Sequence, residues 1–383
     1  MATNTYKTII IGAGISGLGC AHQLIENNDD DFKIISPNIG GRILESKNKT
    51  VEYGAYYIMS IYHYTSSFVK IGPQIKPTKL MFYRHHHSYN LFDQKIFTHF
   101  FQLIRLIFIL RKFKKHYESF KINCLHSSQI NCLKNDTYLW ELYNYKAELF
   151  VKENNLKGIV YDYLAEVLHG TAFLPIKKLN AFEFLHFSLP LIVPVYEFNF
   201  KKQDAVNLIN PYWIKDEVVD IKNKNGKYYI LTKNKKQIYG DNIIVATSPN
   251  ISKKLLKFKP PLREPAKAHM FHLLGKIKPD WNKGEENIFD DKNRMLAIAH
   301  QRDGSYLFYT KEKKPDFKRY FFNYKIIRYQ YWNPAFNIGG SNLVEFNQKK
   351  NLYLIGDNNI CGLEDSYIYG MYAANKILGK TID

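Results

Sequence analysis

Three glycines near the N-terminus have a spacing that can hold a phosphate group. Gly12, Gly14 and Gly17 form G-x-G-x-x-G between the apolar run T-I-I-I, which predicts a buried strand, and a helical pattern. The first glycine permits a tight turn, the second lets the backbone approach a pyrophosphate, and the third lets the helix pack closely on the strand. Free N–H groups of the first helical turn, which contains Ile15 and Ser16, would face the phosphates. The stretch therefore predicts a dinucleotide-binding unit.

The residue expected to bind the ribose of such a dinucleotide is a serine. A second strand is predicted over residues 32–35, and Ser36 stands where an acidic residue usually accepts the two ribose hydroxyls. A charged hydrogen bond contributes about 1.5–3 kcal/mol, against about 0.5–1.5 kcal/mol for a neutral one. The acidic run 29–31 lies at the opposite end of this strand and cannot substitute. We interpret Ser36 as a weaker ribose contact in a site that is retained.

A second glycine motif, Gly40-Gly41-Arg42, follows after a short loop. Together the segments G-A-G-I-S-G-L and G-G-R-I resemble the N-terminal signature of the amine oxidase superfamily of flavoproteins. That superfamily includes monoamine and polyamine oxidases, protoporphyrinogen oxidase and the carotenoid desaturases. The loop before G-G-R is shorter here than is usual in the superfamily. The resemblance implies that the cofactor is FAD.

Two internal segments extend the resemblance. Residues 51–58 read V-E-Y-G-A-Y-Y-I, in which Gly54 and Ala55 would leave room for the edge of the flavin, and Tyr56 or Tyr57 would wall the substrate side. Residues 218–249 read as V-x-x-I, a hairpin, and D-N-I-I-V-A-T-S-P, which matches the third FAD segment of the superfamily. Val218 would present its backbone to the adenine.

The C-terminal segment completes the predicted cofactor site. Residues 351–378 resemble the final strand, G-D loop and closing helix of the superfamily. Gly356 and Asp357 would contact the ribityl chain or the pyrophosphate. Leu363, Glu364 and Ser366 would lie near the start of a helix whose N–H groups face the pyrimidine end of the flavin.

The resemblance also implies a fold class and a division of the chain. We expect an α/β protein with a Rossmann-like FAD-binding domain, discontinuous in sequence, and an inserted α+β substrate domain. The FAD-binding domain is predicted from residues 1–60, 205–259 and 341–383, and the substrate domain from residues 61–204 and 260–340. The length of 383 residues suits two domains, and a hydrophobic fraction of 45% excludes global disorder.

The net charge and the cysteine spacing limit the kinds of partner and metal site that the sequence suggests. A formal charge of +19 favours anionic partners such as phosphate cofactors or acidic membranes, or it reflects a compositional bias towards lysine; nucleic acid is not expected as a partner. None of the four cysteines forms a C-x-x-C pair, so neither a zinc ribbon nor a redox dithiol is indicated. Residues 1–7 contain no signal-peptide pattern. We expect a cytoplasmic protein, with membrane association left open.

Three further features bear on function. Residues 97–120 predict a long helix that is apolar and then basic, which suits either an interfacial helix on an anionic membrane or a core helix with a solvated basic end. The run His85-His86-His87 does not predict a metal site, because adjacent strand residues point to opposite faces. Lys276 is our candidate for the lysine that the superfamily places near flavin N5.

The sequence therefore predicts a flavin-dependent oxidase or dehydrogenase. By the resemblance, the flavin would take a hydride from an amine-bearing substrate or from a partly saturated ring or polyene. Oxygen or another acceptor would then reoxidise the flavin. The substrate would be a small molecule, apolar or aromatic. Two alternatives stay open: a non-redox flavoenzyme resembling UDP-galactopyranose mutase, and a degenerate flavin fold that binds membrane or RNA as a scaffold.

Overall fold

The computed structural model describes residues 5–55, 57–84, 87–93, 95–224, 226–257 and 261–382. Tyr56, His85 and His86 lie outside these ranges, as do residues 258–260. The described helices are α1 (Ile15–Glu26), α2 (Lys95–Thr98), α3 (Phe100–Asn123), α4 (Gln129–Asn135), α5 (Thr137–Asn144), α6 (Ala147–Glu153), α7 (Lys157–Ile159), α8 (Ala165–Ala172), α9 (Ala181–Ser188), α10 (Lys202–Ile209), α11 (Pro249–Leu256) and α12 (Leu363–Ile377).

The strands fall mostly before α2 and after α9, because helices α2 to α9 follow one another and the strands between α11 and α12 do the same. They are β1 (Thr5–Gly14), β2 (Phe32–Gly40), β3 (Tyr57–Met59), β4 (Val69–Gln74), β5 (Leu80–Arg84), β6 (His87–Asn90), β7 (Val195–Phe200), β8 (Trp213–Ile214), β9 (Val218–Lys224), β10 (Lys227–Thr232), β11 (Gln237–Val245), β12 (Glu264–Ile277), β13 (Glu286–Phe289), β14 (Met295–His300), β15 (Tyr306–Thr310), β16 (Phe321–Gly339), β17 (Asn347–Lys349) and β18 (Leu352–Leu354).

The first sheet is a Rossmann-like sheet built around β1. Its order is β17-β18-β11-β1-β2-β8, and the β9–β10 hairpin pairs with β11. Strands β2, β1, β11 and β18 run parallel, so their carboxyl ends meet at one edge. Ile9, Ile10 and Ile11 are 0–2% exposed, as the apolar run at the start of the chain predicts. This arrangement confirms the predicted fold class.

Strand β2 is longer than the sequence predicts. It continues past Ser36, and its far end pairs with β1 through Ala13↔Ile39 and Gly14↔Gly40. The short loop before the second glycine motif thus stays extended, because it lies alongside the end of β1 and can pair with it. Ser36 consequently lies within the strand and not at its end.

Two more sheets and a helical layer form the rest of the molecule. A seven-stranded sheet has the order β16-β12-β15-β14-β13-β5-β6, and a three-stranded sheet has the order β3-β7-β4. Helices α3 to α9 pack their apolar sides into a large core that contains Leu106, Phe113, Tyr163 and Phe182. Ile360 and Ile368, from the C-terminal segment, lie in the same core. This core therefore joins the helical layer to the Rossmann-like part.

Helices α1 and α12 cross at backbone contact. A Cβ built on Gly370 of α12 would lie 2.0 Å from the carbonyl oxygen of Ser16. One built on Gly19 of α1 would lie 2.5 Å from the carbonyl oxygen of Tyr367. Because neither residue has a side chain, the N-terminus of α12 can approach the N-terminus of α1 at the carboxyl edge of the first sheet.

Candidate cofactor site

The glycine loop between β1 and α1 has the conformation that its spacing predicts. Gly12 has φ +108°, and a Cβ there would lie 2.7 Å from the carbonyl oxygen of Ala246. A Cβ on Gly17 would lie 2.0 Å from the carbonyl oxygen of Gly12. Both positions exclude a side chain for reasons internal to the fold. They let the chain turn sharply from strand into helix.

Gly14 differs from its two neighbours in the motif. It has ordinary extended backbone, with φ −76° and ψ 179°, and it precedes α1 without a side-chain capping bond. A Cβ on Gly14 would meet nothing closer than the Cα of Gly41, at 3.8 Å. The fold itself therefore has room for a side chain at this position. An uncapped helix N-terminus beside open space is a suitable place for an anion, and Ile15 and Ser16 form its first turn.

Arg42 and Asp357 form an ion pair close to these loops. The guanidinium nitrogens Nη1 and Nη2 lie 2.8 Å and 2.6 Å from the two carboxylate oxygens, and Nη1 also donates to the carbonyl of Ala335 at 2.9 Å. Burial by itself lowers the pKa of Arg42, but the charge and hydrogen bonds of Asp357 raise it above its usual value. Asp357 is 5% exposed and Arg42 is 34% exposed at their side chains. The pair thus offers a fixed positive group that solvent can still reach.

The loop after β18 faces the start of α1. Gly356 has φ +110°, and a Cβ there would lie 3.9 Å from Ser16 Oγ and 3.8 Å from Asn358 Nδ2. Asn358 is 2% exposed, and its Oδ1 atom is buried without a hydrogen-bond partner among the described residues. Buried amide oxygens in proteins are normally bonded. Asn358, which sequence reasoning missed, therefore offers an unused acceptor next to Gly356 and Asp357.

Ser36 is engaged by its own loop and by a neighbouring strand. Its hydroxyl donates to the carbonyl of Asn38 at 2.7 Å, and its carbonyl accepts from the indole N–H of Trp213 at 2.9 Å. The side chain is short, and Ser36 is only 7% exposed. The hydroxyl oxygen keeps its capacity to accept a hydrogen bond, but no carboxylate stands at this position. The ribose role of Ser36 remains a prediction.

The other residues predicted to contact the cofactor lie in three segments of the chain. A Cβ on Gly54 would lie 1.8 Å from the carbonyl oxygen of Arg42, and the Ala55 N–H donates to that oxygen at 3.3 Å, so both residues lie against the second glycine motif. Val218 is the first residue of β9 and is buried. Leu363 begins α12, and Ser366 is buried in its first turn.

The carboxylate of Glu364 is engaged by neighbouring backbone, and a contact of this residue with the flavin stays a prediction. Its carboxylate is fully buried and accepts the backbone N–H groups of His63, Tyr64 and Thr65, at 2.5, 3.2 and 3.1 Å, together with the Thr65 hydroxyl at 3.0 Å. Lys121 Nζ lies 3.7 Å away. These contacts satisfy the carboxylate completely, so Glu364 ties the chain at residues 63–65 to α12.

Lys276 lies far along β12 in an exposed position. Its Nζ lies over the ring of Phe322, 5.8 Å from the centroid, and its backbone N–H bonds to Asn323. These contacts are with the edge strand β16 and not with either glycine motif. The position gives no support to a catalytic lysine at residue 276.

A buried polar network behind the start of α12 escaped the sequence analysis. The Tyr117 hydroxyl donates to Asp365 at 2.8 Å and lies 3.1 Å from His186 Nε2. Burial, the largest cause, raises the pKa of Asp365, and His186 and Lys121 oppose the shift. The residues of this network come from α3, α9 and α12. These helices are far apart in the chain, so no local sequence spacing indicates the network.

The donor set at the carboxyl edge of the first sheet fits a dinucleotide with a pyrophosphate. The uncapped helix start and Arg42 suit the phosphates, while Asp357 and the unpartnered Asn358 Oδ1 suit hydroxyl groups. The exception is the ribose end, where Ser36 replaces a carboxylate.

Comparisons with known proteins agree with this geometry. The family model of an NAD(P)-binding Rossmann-like domain matches residues 10–71. No curated protein matches the chain significantly. A putrescine oxidase bound to putrescine has a TM-score of 0.65 at 11% identity, covering 98% of this chain and 100% of its own.

Two other solved structures cover the chain as fully. A cyclohexylamine oxidase from Brevibacterium oxydans has a TM-score of 0.63 at 11% identity, covering 98% of this chain and 99% of its own. A CLA-producing fatty acid isomerase from P. acnes has a TM-score of 0.67 at 11% identity, covering 97% and 98%. The chain therefore has the fold that these solved structures share, and its N-terminal motifs predicted the Rossmann-like part of that fold.

Proposed function

We propose that the protein is an FAD-dependent oxidoreductase that acts on a small apolar or aromatic molecule. The substrate carries the reacting C–H bond next to an amine or within a partly saturated ring or polyene. The observation that carries the proposal is the uncapped start of α1 beside Gly14, with the Arg42–Asp357 pair close to it. These groups would suit a dinucleotide diphosphate, and packing within the fold does not require a glycine at position 14.

The chain's own residues divide the work of binding. The N–H groups of Ile15 and Ser16 would hold the pyrophosphate, and Arg42 would neutralise part of its charge. Asp357 and Asn358 would accept hydrogen bonds from ribityl hydroxyls. The backbone of Val218 would border the adenine, and Gly54 and Ala55 would leave space for the ring.

Bound FAD would supply a hydride acceptor, with oxygen or another electron acceptor completing the cycle. The residues around it would orient the substrate and exclude water. Phe336 directly follows Ala335, whose carbonyl accepts a hydrogen bond from Arg42. The ring of Phe336 packs against the rings of Phe187 and Phe173 at centroid distances of 5.9 and 5.8 Å. Burial, the larger cause, and the charge of a Cys361 thiolate raise the pKa of Tyr57 to about 12, so this phenol stays neutral. Such walls favour an apolar substrate.

A second candidate function is a non-redox reaction on the same site. The similarity to a fatty acid isomerase motivates it, because that enzyme is named for an isomerisation. A rearranged product without net electron transfer would favour this candidate. Substrate turnover that bleaches the flavin anaerobically would favour the oxidoreductase.

The direct test is the absorption spectrum of the purified protein. We expect a yellow protein that releases FAD on denaturation. Protein that is colourless and does not take up added FAD would overturn the proposal and would leave a binding scaffold as the better description.

Gly14→Ala separates the cofactor role of this loop from its structural role. The added methyl group has room in the protein itself, since its nearest neighbour would be 3.8 Å away, and the backbone angles suit alanine. We therefore expect an unchanged melting temperature and FAD affinity reduced by about tenfold or more, because the methyl would occupy the path of the phosphates. Lys276→Ala is the matched control and should leave both quantities unchanged. Unaltered FAD affinity in Gly14→Ala would contradict the assignment.

A further inference from the structure

Helices α2 and α3 carry an exposed apolar surface that the proposed reaction does not use. Phe97, Phe101 and Phe108 are 75%, 84% and 64% exposed, and Ile104 between them is 36% exposed. Phe101, Ile104 and Phe108 recur at three and four residues and so lie along one side of α3, and Phe97 lies in the short helix just before it. Phe100 is 52% exposed next to them. We call these five residues the aromatic face.

The opposite side of α3 fixes its orientation. Leu106, Leu110, Phe113 and Tyr117 are 0% exposed and lie in the large core. The reading of residues 97–120 as a core helix with a solvated basic end is therefore right for one side of α3 only. The aromatic face lies on the other side, and the helix cannot rotate to bury it without exposing its core residues.

Basic residues continue the outer side of α3 beyond the aromatic face. Arg111, Lys112 and Lys115 are exposed there, while Arg105 lies within the span of the aromatic face and donates to the carbonyl of Asn154 at 3.0 Å. The only acidic residue in the sequence of this helix, Glu118, is paired with Lys114 at 3.0 Å. Aromatic residues followed by unneutralised basic residues are the composition of a helix that lies in the interface of an anionic membrane.

We infer that α2 and α3 dock the protein on an anionic lipid bilayer. The aromatic face would enter the boundary between headgroups and acyl chains, while Arg111, Lys112 and Lys115 would contact anionic headgroups. Within the described part of the chain, no helix is both long enough and apolar enough to cross a bilayer. The contact is accordingly peripheral.

Charge argues against a second copy of the chain as the occupant. A second copy would bring the same exposed basic residues, Arg111, Lys112 and Lys115, and the same net charge of +19 to this surface. Like charges repel at such a contact. An anionic lipid surface is attracted to the same residues and also accepts the phenylalanines.

The same helix reaches the interior near the candidate site. Tyr117, on its buried side, donates to Asp365, and Lys121 donates to the carbonyl of Ile61 at 2.6 Å. A membrane contact on the outer side of α3 thus lies on the element that supports the start of α12. Docking would bring an apolar substrate held in lipid to the part of the molecule that the proposed reaction uses.

Vesicle cosedimentation of the full chain tests the inference without any need for activity. We expect binding to vesicles of phosphatidylcholine with 30% phosphatidylglycerol, little binding to phosphatidylcholine alone, and weaker binding at high salt. The variant Phe97→Ser/Phe101→Ser/Phe108→Ser should bind at least about tenfold more weakly. The control Ile71→Ser/Phe322→Ser changes two residues that are each 61% exposed elsewhere and should bind as the unaltered protein does.

A charge variant separates this surface from the general positive charge. Arg111→Glu/Lys112→Glu/Lys115→Glu should lose binding. Lys224→Glu/Lys227→Glu/Lys236→Glu changes the net charge equally, on the β9–β10 hairpin and in the turn before β11, and should retain most of the binding. Equal losses in both variants would reduce the effect to net charge and overturn the inference. The inference would also be overturned if the protein did not bind vesicles and instead formed a dimer that the triple phenylalanine variant could not form. Melting temperatures of all variants report whether they fold.

Discussion

At the scale of single residues, unpartnered polar atoms in the interior mark the positions that packing alone does not explain. Asn358 Oδ1 borders the candidate cofactor site, where a ligand hydroxyl can satisfy it. Both carboxylate oxygens of Glu52 are also buried without a hydrogen-bond partner among the described residues. No positive group among the described residues is paired with Glu52. The carboxyl group therefore avoids a buried negative charge by keeping its proton. Burial, helped by the charge of Glu45, raises the pKa of Glu52 to about 8.

Glu52→Gln should make the protein more stable at alkaline pH. The folded protein holds the Glu52 proton up to pH about 8, whereas the unfolded chain releases it near the ordinary value of 4.5. The unfolded state therefore binds fewer protons in this window, and stability falls as the pH rises from 4.5 to 8. Glutamine does not titrate, so melting temperatures at pH 8.5 should rise above those of the parent and converge with them at pH 4.5. The exposed Glu148→Gln is the control; an unchanged pH slope in Glu52→Gln would contradict the argument.

Ser36→Glu should tighten FAD binding if the ribose lies beside β2. A carboxylate gains roughly 1 kcal/mol over a hydroxyl in such a bond, or about fivefold in affinity. Quenching of flavin fluorescence on binding measures the effect, and Ser36→Ala, which removes the bond to Asn38 without adding charge, is the control. If Ser36→Glu expels FAD, the extended pairing of β2 with β1 has moved the ribose elsewhere.

At the scale of elements, the candidate site depends on where two helices begin. Helix α1 starts at the carboxyl end of β1, and α12 lies across it because Gly19 and Gly370 carry no side chains. The N-terminus of α12 is fixed by the side chain of Glu364, whose carboxylate accepts hydrogen bonds from the backbone of residues 63–65. The two helix starts are therefore positioned by different kinds of contact, one steric and one polar.

Gly370→Ala tests the steric contact. The new methyl would lie 2.0 Å from the carbonyl oxygen of Ser16, so α12 must move away from α1. Overpacking of this kind costs about 1–3 kcal/mol, and FAD affinity should fall as well because Ser16 belongs to the candidate site. Met371→Leu, the next residue on α12, conserves volume and should cost less than about 1.5 kcal/mol. Chemical denaturation measures both. A Gly370→Ala protein as stable as the parent would show that the helices do not depend on this approach.

The elements that could be predicted from sequence are those whose signals are local. The order of strand, glycines, helix and strand from Thr5 to Gly40 follows from residue types a few positions apart. The role of Glu364 could not be found in this way, because its partners lie about 300 positions earlier. The extension of β2 past Ser36 and the exposure of the aromatic face also depend on which segments pack together. Tertiary contact decided these points: local sequence left residues 97–120 open between an interfacial and a core helix, and it gave no sign of the other two.

At the scale of the whole molecule, a buried ion pair links regions that are distant in sequence. Arg263 and Glu183 are both 0% exposed and lie 2.6 Å apart. Arg263 also donates to the carbonyls of Asn359 and Ile338, each at 2.6 Å. The guanidinium therefore joins α9, β16 and the loop that follows β18. The helical layer and the Rossmann-like part thus share this polar centre as well as the large apolar core.

Arg263→Met should destabilise the whole molecule more than most single changes do. It leaves the Glu183 carboxylate buried without its partner, which typically costs about 3–5 kcal/mol. Glu183→Leu/Arg263→Met removes both charges, so it should be less destabilised than the sum of the single variants, with a coupling energy of about 1–3 kcal/mol. Recovery should stay incomplete, because the Ile338 carbonyl still loses its Arg263 donor, while the Asn359 carbonyl keeps only the bond from the Tyr143 hydroxyl. Urea denaturation of the parent, both single variants and the double variant closes the cycle. Additive losses, within about 0.5 kcal/mol, would mean that the two charges do not stabilise each other and that Arg263 acts through the two carbonyls alone.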